Sequence, residues 1–241
     1  MMMLMPASSY PCFSILTSLP VMKTFSLLLG LLLVVSVPAP AVARTIDWGN
    51  AVGDSLVSST GAALDNGFTF ELGSFGTFIP TQFNLEDWAA NWKVFDRAQT
   101  PNDWNSALGF FNSTATLEEG GVSSEAPPLS PFIFEEDEQA YIWVYNTQTM
   151  AFGYTEWALL TDADGWTFPA PGGKTDLPLE WRVSTADTLI YGGLQGVQGP
   201  GGYTADPLGY EIQTHSVVPE PSGLMLVFAA GALRVLRRRR L

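Results

Sequence analysis

The sequence predicts an all-β, sandwich-like domain carrying one short helix, with an N-terminal signal peptide before it and a C-terminal hydrophobic helix after it. Three observations carry that prediction. Short apolar or aromatic runs recur between Gly, Asp, Asn and Pro through residues 44–214, the pattern of many short strands joined by turns. Hydrophobic residues make up 46% of the 241, with 8 Trp, 15 Phe and 7 Tyr, enough to pack a core. One stretch alone departs from strand-like patterning, and it does so at helical spacing.

In chain order the first element is MKTFSLLLGLLLVVSVPAPAVA, Met22 to Ala43. Lys23 supplies a positive n-region, Phe25 to Val37 the apolar h-region, and Pro38 and Pro40 break it ahead of an A-x-A cleavage site at Ala41 and Ala43. Cleavage there leaves Arg44 as the new N-terminus. Residues 1–21, Cys12 among them, read as an extended n-region or a start codon called too early.

The middle, 44–214, reads as one β-rich domain. Expected strands are Phe68–Leu72, Phe75–Ile79, Ala107–Phe111, Tyr141–Tyr145, Thr155–Leu160, Leu179–Val183, Thr188–Tyr191 and Tyr210–Gln213. In YIWVY, Tyr141, Trp143 and Tyr145 point to one face and Ile142 and Val144 to the other. In NLEDWAANWKVFDRA, Leu85, Trp88, Trp92 and Phe95 fall at near-helical spacing. They predict a short helix near 84–97 that lays its two tryptophans on a sheet, with Asn84 as N-cap and Asp87 in the first turn. Residues 118–138 read as a long Pro/Ser/Glu-rich loop and 192–202 as a flexible turn region.

Charge narrows the function. All 24 acidic residues lie between Arg44 and Pro221, against five basic ones, a balance of −19. Such a surface gains nothing from phosphate counterion release, so nucleic-acid binding is not expected. Cys12 is the only cysteine, which excludes a disulfide framework and thiolate metal sites. The one histidine, His215, reads as a solvated residue of the linker that opens the C-terminal segment 215–241. No cofactor is expected. GGKT at Gly172–Thr175 lacks the upstream glycine of a phosphate loop, since Phe168 stands there. DADG offers Asp162 and Asp164 as a weak calcium candidate and reads more simply as a turn. EEDE at Glu135–Glu138 reads as a solvated acidic run. Trp143 and Tyr145, on one strand face, could form an aromatic platform for sugar rings, although aromatics in this setting belong more often to the core. The many carboxylates leave glycoside hydrolysis open without nominating a pair.

The chain closes with VVPEPSGLMLVFAAGALRVLRRRRL. The apolar run Ser222–Leu233 is twelve residues long, short of the roughly 20 a permanent span needs. Arg234 could snorkel to the headgroups, and Arg237, Arg238, Arg239 and Arg240 form a block held on the cytoplasmic side. The order Pro219-Glu220-Pro221, short apolar helix and arginine cluster resembles the PEP-CTERM sorting signal of Gram-negative bacteria. The resemblance implies that signal peptidase admits the chain and that the tail rests transiently in the inner membrane. There exosortase, a membrane-embedded transpeptidase-like enzyme, recognises the Pro-Glu-Pro and releases the domain to the surface or beyond. Further in, DWGN, GSFGTFIPT, WAANWKVFD, IWVYN, EWALLTD and LPLEWRVS together resemble small secreted PEP-CTERM ectodomains, a family that implies no particular activity. The expectation is therefore an exported surface or extracellular-matrix protein without catalytic activity, associated with exopolysaccharide. A carbohydrate-binding module is the alternative, and a carboxylate-dependent hydrolase stands behind it.

Overall fold

The structure of the chain, a computed structural model, describes residues 43–125, 132–151, 153–172 and 177–217. Ala41, the Pro-Glu-Pro and the arginine cluster lie outside the described residues. In chain order the strands begin with β1 (Arg44–Gly49), β2 (Leu56–Val57), β3 (Thr69–Ser74), β4 (Lys93–Ala98) and β5 (Trp104–Asn105). Next come β6 (Phe110–Leu117), β7 (Tyr141–Tyr145), β8 (Glu156–Thr161), β9 (Leu179–Arg182) and β10 (Thr188–Tyr191). The short strands β11 (Gly193–Leu194), β12 (Val197–Gln198), β13 (Ile212–Gln213) and β14 (His215–Ser216) complete the set. Among the described residues one α-helix, α1 (Trp88–Asn91), follows a 3-10 turn at Leu85–Asp87. Among the described residues no helix is long and apolar enough to cross a membrane.

The strands form three sheets. One runs β5-β6-β1-β9, a second β10-β8-β7-β3-β4 with β14 also on β8, and a third β12-β11-β13-β2. Pairing is antiparallel except for β1 with β9 and β2 with β13. Alternation along the strands explains how the first two sheets share a core. Phe70 and Leu72 of β3, with Ile142 and Val144 of β7, meet Ile46, Trp48, Phe111 and Ala115 from β1 and β6 in one buried cluster. Phe70 stacks on Phe111 across that core at 4.1 Å.

The opposite face of the six-stranded sheet is buried as well. Trp143 and Tyr145 of β7 and Trp157 and Leu159 of β8 join Phe75, Leu85, Trp88 and Trp92 in a second cluster. The segment before β4 thus roofs the sheet, and both predicted tryptophans lie on it. It is not a helix over 84–97. Helical turns end at Asn91, and Lys93–Ala98 is β4, paired with β3 from Phe70↔Ala98 to Ser74↔Lys93. Asn84 caps nothing with its side chain. Its Oδ1 accepts from Thr81 N and Trp88 Nε1, pinning the roof to its own approach loop.

Other elements move too. Phe75–Ile79 holds a turn in place of a strand: Phe78 N donates to Phe75 O at 3.0 Å. Ala107–Gly109 is likewise a turn before β6, and Tyr210–Gln213 shortens to β13. The long 118–138 loop is tied down by Phe134, fully buried against Phe95 and Phe168. The 192–202 region holds the small β11–β12 hairpin.

Candidate functional site

β4 is the element that builds the site. Its register on β3 slips at Phe95, between Leu72↔Asp96 and Gly73↔Val94, a bulge that re-aims the side chains around it. Asp96 turns inward, 3% exposed, and accepts from Trp48 Nε1 at 2.7 Å and from Arg97 N at 2.7 Å. Arg97 turns to the other face and pairs with Glu71.

Glu71 is fully buried. Its Oε1 accepts from Arg97 Nε at 2.6 Å, and its Oε2 from Trp92 Nε1 at 2.7 Å and Gln148 Nε2 at 2.9 Å. A buried carboxylate persists only when its charge and lone pairs are met in this way. Burial works against the Arg97 charge, but Glu71 and Tyr145 together leave its pKa raised. The Tyr145 hydroxyl is pushed far above the ordinary phenol range, by burial first and then by the Glu71 charge.

On the solvent side of Asp96 and Arg97 opens a pocket of about 540 Å³. Beside the buried Asp96 and Arg97, it is lined by the acidic residues Asp103 and Glu125 and by Gln99, Asn112, Ser113 and Thr114. The walls carry their own support: Arg182 Nη1 donates to Asn112 Oδ1 at 2.6 Å, and Thr114 Oγ1 to Asp47 Oδ1 at 2.6 Å. Desolvation raises the Asp103 pKa, and the charges of Asp96 and Glu125 raise it further. The pocket therefore offers donors and acceptors suited to a polyhydroxyl ligand, plus one carboxyl poised to hold a proton more readily than usual. Among the described residues no three His, Cys, Asp or Glu side chains gather as a metal site.

The residues singled out from the sequence lie elsewhere. Trp143 is 0% and Tyr145 7% exposed, so the proposed sugar platform is not a surface; the roof over β7 and β8 makes both faces of this sheet interior. Trp143 is wedged edge-on among Trp88, Trp92 and Trp157. Asp162 is spent on its own turn, its Oδ1 accepting from Asp164 N at 3.3 Å and Gly165 N at 2.8 Å. The acidic run at Glu135–Glu138 is not wholly solvated, because Glu138 pairs with Lys93, whose Nζ also donates to Ile133 O at 2.7 Å. Arg44 opens β1, opposite Leu117, and Ala43 before it is exposed.

His215 is the largest correction. It belongs to β14, opposite Trp157 of β8, and is fully buried. Its Nδ1 lies 2.8 Å from Pro200 O and its Nε2 2.8 Å from Gln198 Oε1, with Tyr203 stacked on the ring at 4.8 Å. Desolvation lowers its pKa, against the opposing pull of the Pro200 carbonyl and the Glu156 charge. Both nitrogens face carbonyl oxygens inside the fold, with the one N–H of the neutral ring donated according to its tautomer, so neither is turned toward a nucleophile. Glu156 beside it is held by Ser59 and Thr214.

Sequence reasoning missed Asp96, Asp103 and Glu71. Glu71 carried a signal, a lone charge at the centre of FTFELGS; Asp96 and Asp103 carried none. Comparison with known proteins finds no matching family model, no matching curated protein and no matching solved structure. The likeness of the tail to a sorting signal therefore rests on residues 218–240 themselves.

Proposed function

We propose that the chain is an exported surface or matrix protein without catalytic activity. Its β-sandwich ectodomain is delivered by signal peptidase and exosortase and associates with exopolysaccharide. The observation that carries this reading is where the strands begin and how far they reach. β1 starts at Arg44, the residue that cleavage after Ala43 would free, and the last strand among the described residues ends at Ser216, with Val217 alone between it and Val218-Pro219. The described strands thus lie between the two sequence signals. The reading is tested by fractionating cells with and without an exosortase. A membrane-bound precursor without the enzyme, and a shorter released form with it, are expected; a soluble cytoplasmic chain in both would overturn it.

The burial of the one histidine speaks against a histidine-assisted nucleophile and leaves a carboxylate-dependent reaction untouched. For the carbohydrate alternative, the pocket beside β4 replaces the Trp143 face. Its amides, hydroxyls and carboxylates are the groups that bind sugar hydroxyls, and no aromatic ring lines it. Co-sedimentation with the producing cell's own polysaccharide, lost in Asn112→Ala and retained in Trp143→Phe, is the expected result.

A further inference from the structure

The pocket of about 540 Å³ opens between two sheets, lined by β4 of one and β6 of the other. That volume lies within the range of small-molecule sites. Its charges are unbalanced. Arg97 is the only cation among its lining residues, and that guanidinium is already taken by Glu71. Asp96 is met by neutral donors alone, the Trp48 indole and the Arg97 backbone N–H. Asp103 is fixed through its main chain: its N–H donates to Gln99 O at 3.2 Å, and its carbonyl accepts from Asn112 N at 3.0 Å. Its carboxylate, held in place, has no donor or cation among the described residues. Asp96 and Glu125 both lie within electrostatic reach of it.

Hydrogen-bonding capacity is left over as well. Asn112 spends its Oδ1 on Arg182 Nη1 at 2.6 Å. Among the described residues its Nδ2 makes no hydrogen bond, and neither do the side chains of Gln99 and Ser113. A ligand that suits this lining brings a positive charge for the acids and hydroxyls for the amides. An acidic sugar is repelled, and a neutral one leaves the Asp103 charge half-desolvated and unpaired. A bare metal ion does not suit it either, since among the described residues no three ligating side chains gather.

We propose that this pocket binds an amino sugar, its ammonium group taken by Asp103 and Glu125 and its ring hydroxyls by Asn112, Gln99 and Ser113. The proposal rests on the carbohydrate reading of the pocket and adds the class of sugar: a hexosamine unit with a free amine, in preference to its acetylated or uronic counterpart.

The test is calorimetric titration of the exported protein, recovered from the producing cells, in slightly acidic buffer where sugar amines are protonated. The probes are a glucosamine oligosaccharide and the N-acetylglucosamine oligosaccharide of equal length. The free-amine sugar should bind at one site, about tenfold or more tighter than the acetylated one, the worth of a charge-assisted hydrogen bond. Asp103→Asn and Glu125→Gln should each erase most of that preference, whereas Glu136→Gln, which removes an exposed charge from the acidic run, should leave it. Equal loss in Glu136→Gln would assign the binding to the acidic surface at large and overturn the proposal. An aliphatic diamine that binds as tightly as the amino sugar would overturn it too, because the hydroxyls would then count for nothing. Equal or tighter binding of the acetylated sugar would overturn the proposal and leave the carbohydrate reading intact. Binding of neither sugar would overturn both.

Discussion

Trp88 lies flat on Trp157, ring centroids 5.5 Å apart and planes at 15°. That stack is how four helical residues close the outer face of the six-stranded sheet. Trp88 is fully buried and also meets Trp143, Phe75 and Tyr191 edge-on. Trp88→Ala should therefore destabilise the domain by about 3–5 kcal/mol, read as a lower urea midpoint. Near-UV circular dichroism should weaken with it, since the mutated residue sits at the centre of the aromatic cluster.

Glu71 and Arg97 form a second dependency. Removing the cation in Arg97→Met leaves a fully buried carboxylate with only neutral donors, a loss of about 3 kcal/mol. Adding Glu71→Gln should recover part of that loss, because the stranded charge disappears. A double-mutant cycle in urea checks this, with a coupling of about 1–3 kcal/mol expected. Strict additivity would mean that the pair does not act as a unit.

His215 makes a pH prediction with a definite sign. Its folded pKa lies below 6.5, so the folded state binds its proton more weakly than the unfolded chain. Its contribution to stability is complete above 6.5 and is lost as pH falls through the folded value. As the only histidine, it is read directly from one imidazole proton resonance in protein made without a histidine tag. A midpoint above the ordinary value would contradict the burial argument.

Asp103 has the opposite sign. Its raised folded pKa means that the folded state holds the proton more tightly, so stability falls as pH climbs from 3.8 through the folded value. Asp103→Asn should raise the urea midpoint at neutral pH, and the gain should vanish in acid. An unchanged or lower midpoint at pH 7 would show that the Asp103 charge bears no cost of desolvation or of its neighbouring carboxylates.

These sites differ in how far the sequence announces them. The alternation in YIWVY is local, and β7 spans the predicted residues with the predicted faces. What alternation cannot reveal is that both faces are interior, because the roof over Trp143 comes from residues some fifty positions earlier. The helical spacing of Leu85, Trp88, Trp92 and Phe95 is real for its first half only. β4 exists because Arg97 and its neighbours pair with β3, a contact that wins over local propensity. His215 looked like linker because Pro219 follows so closely. Its burial depends on Ser59, Glu156, Gln198, Pro200 and Tyr203, drawn from three separate stretches. The pocket was illegible for the same reason: Asp96, Asp103 and Glu125 share no spacing pattern and meet only because β4 and β6 run close together.

The measurement that tests the account most directly is the intact mass of the protein recovered from cells with an active exosortase. The account predicts a chain beginning at Arg44, lacking the apolar run and the arginines, and retaining Val217 as part of the folded domain. A recovered protein that keeps residues 222–241 while the exosortase is active would contradict it.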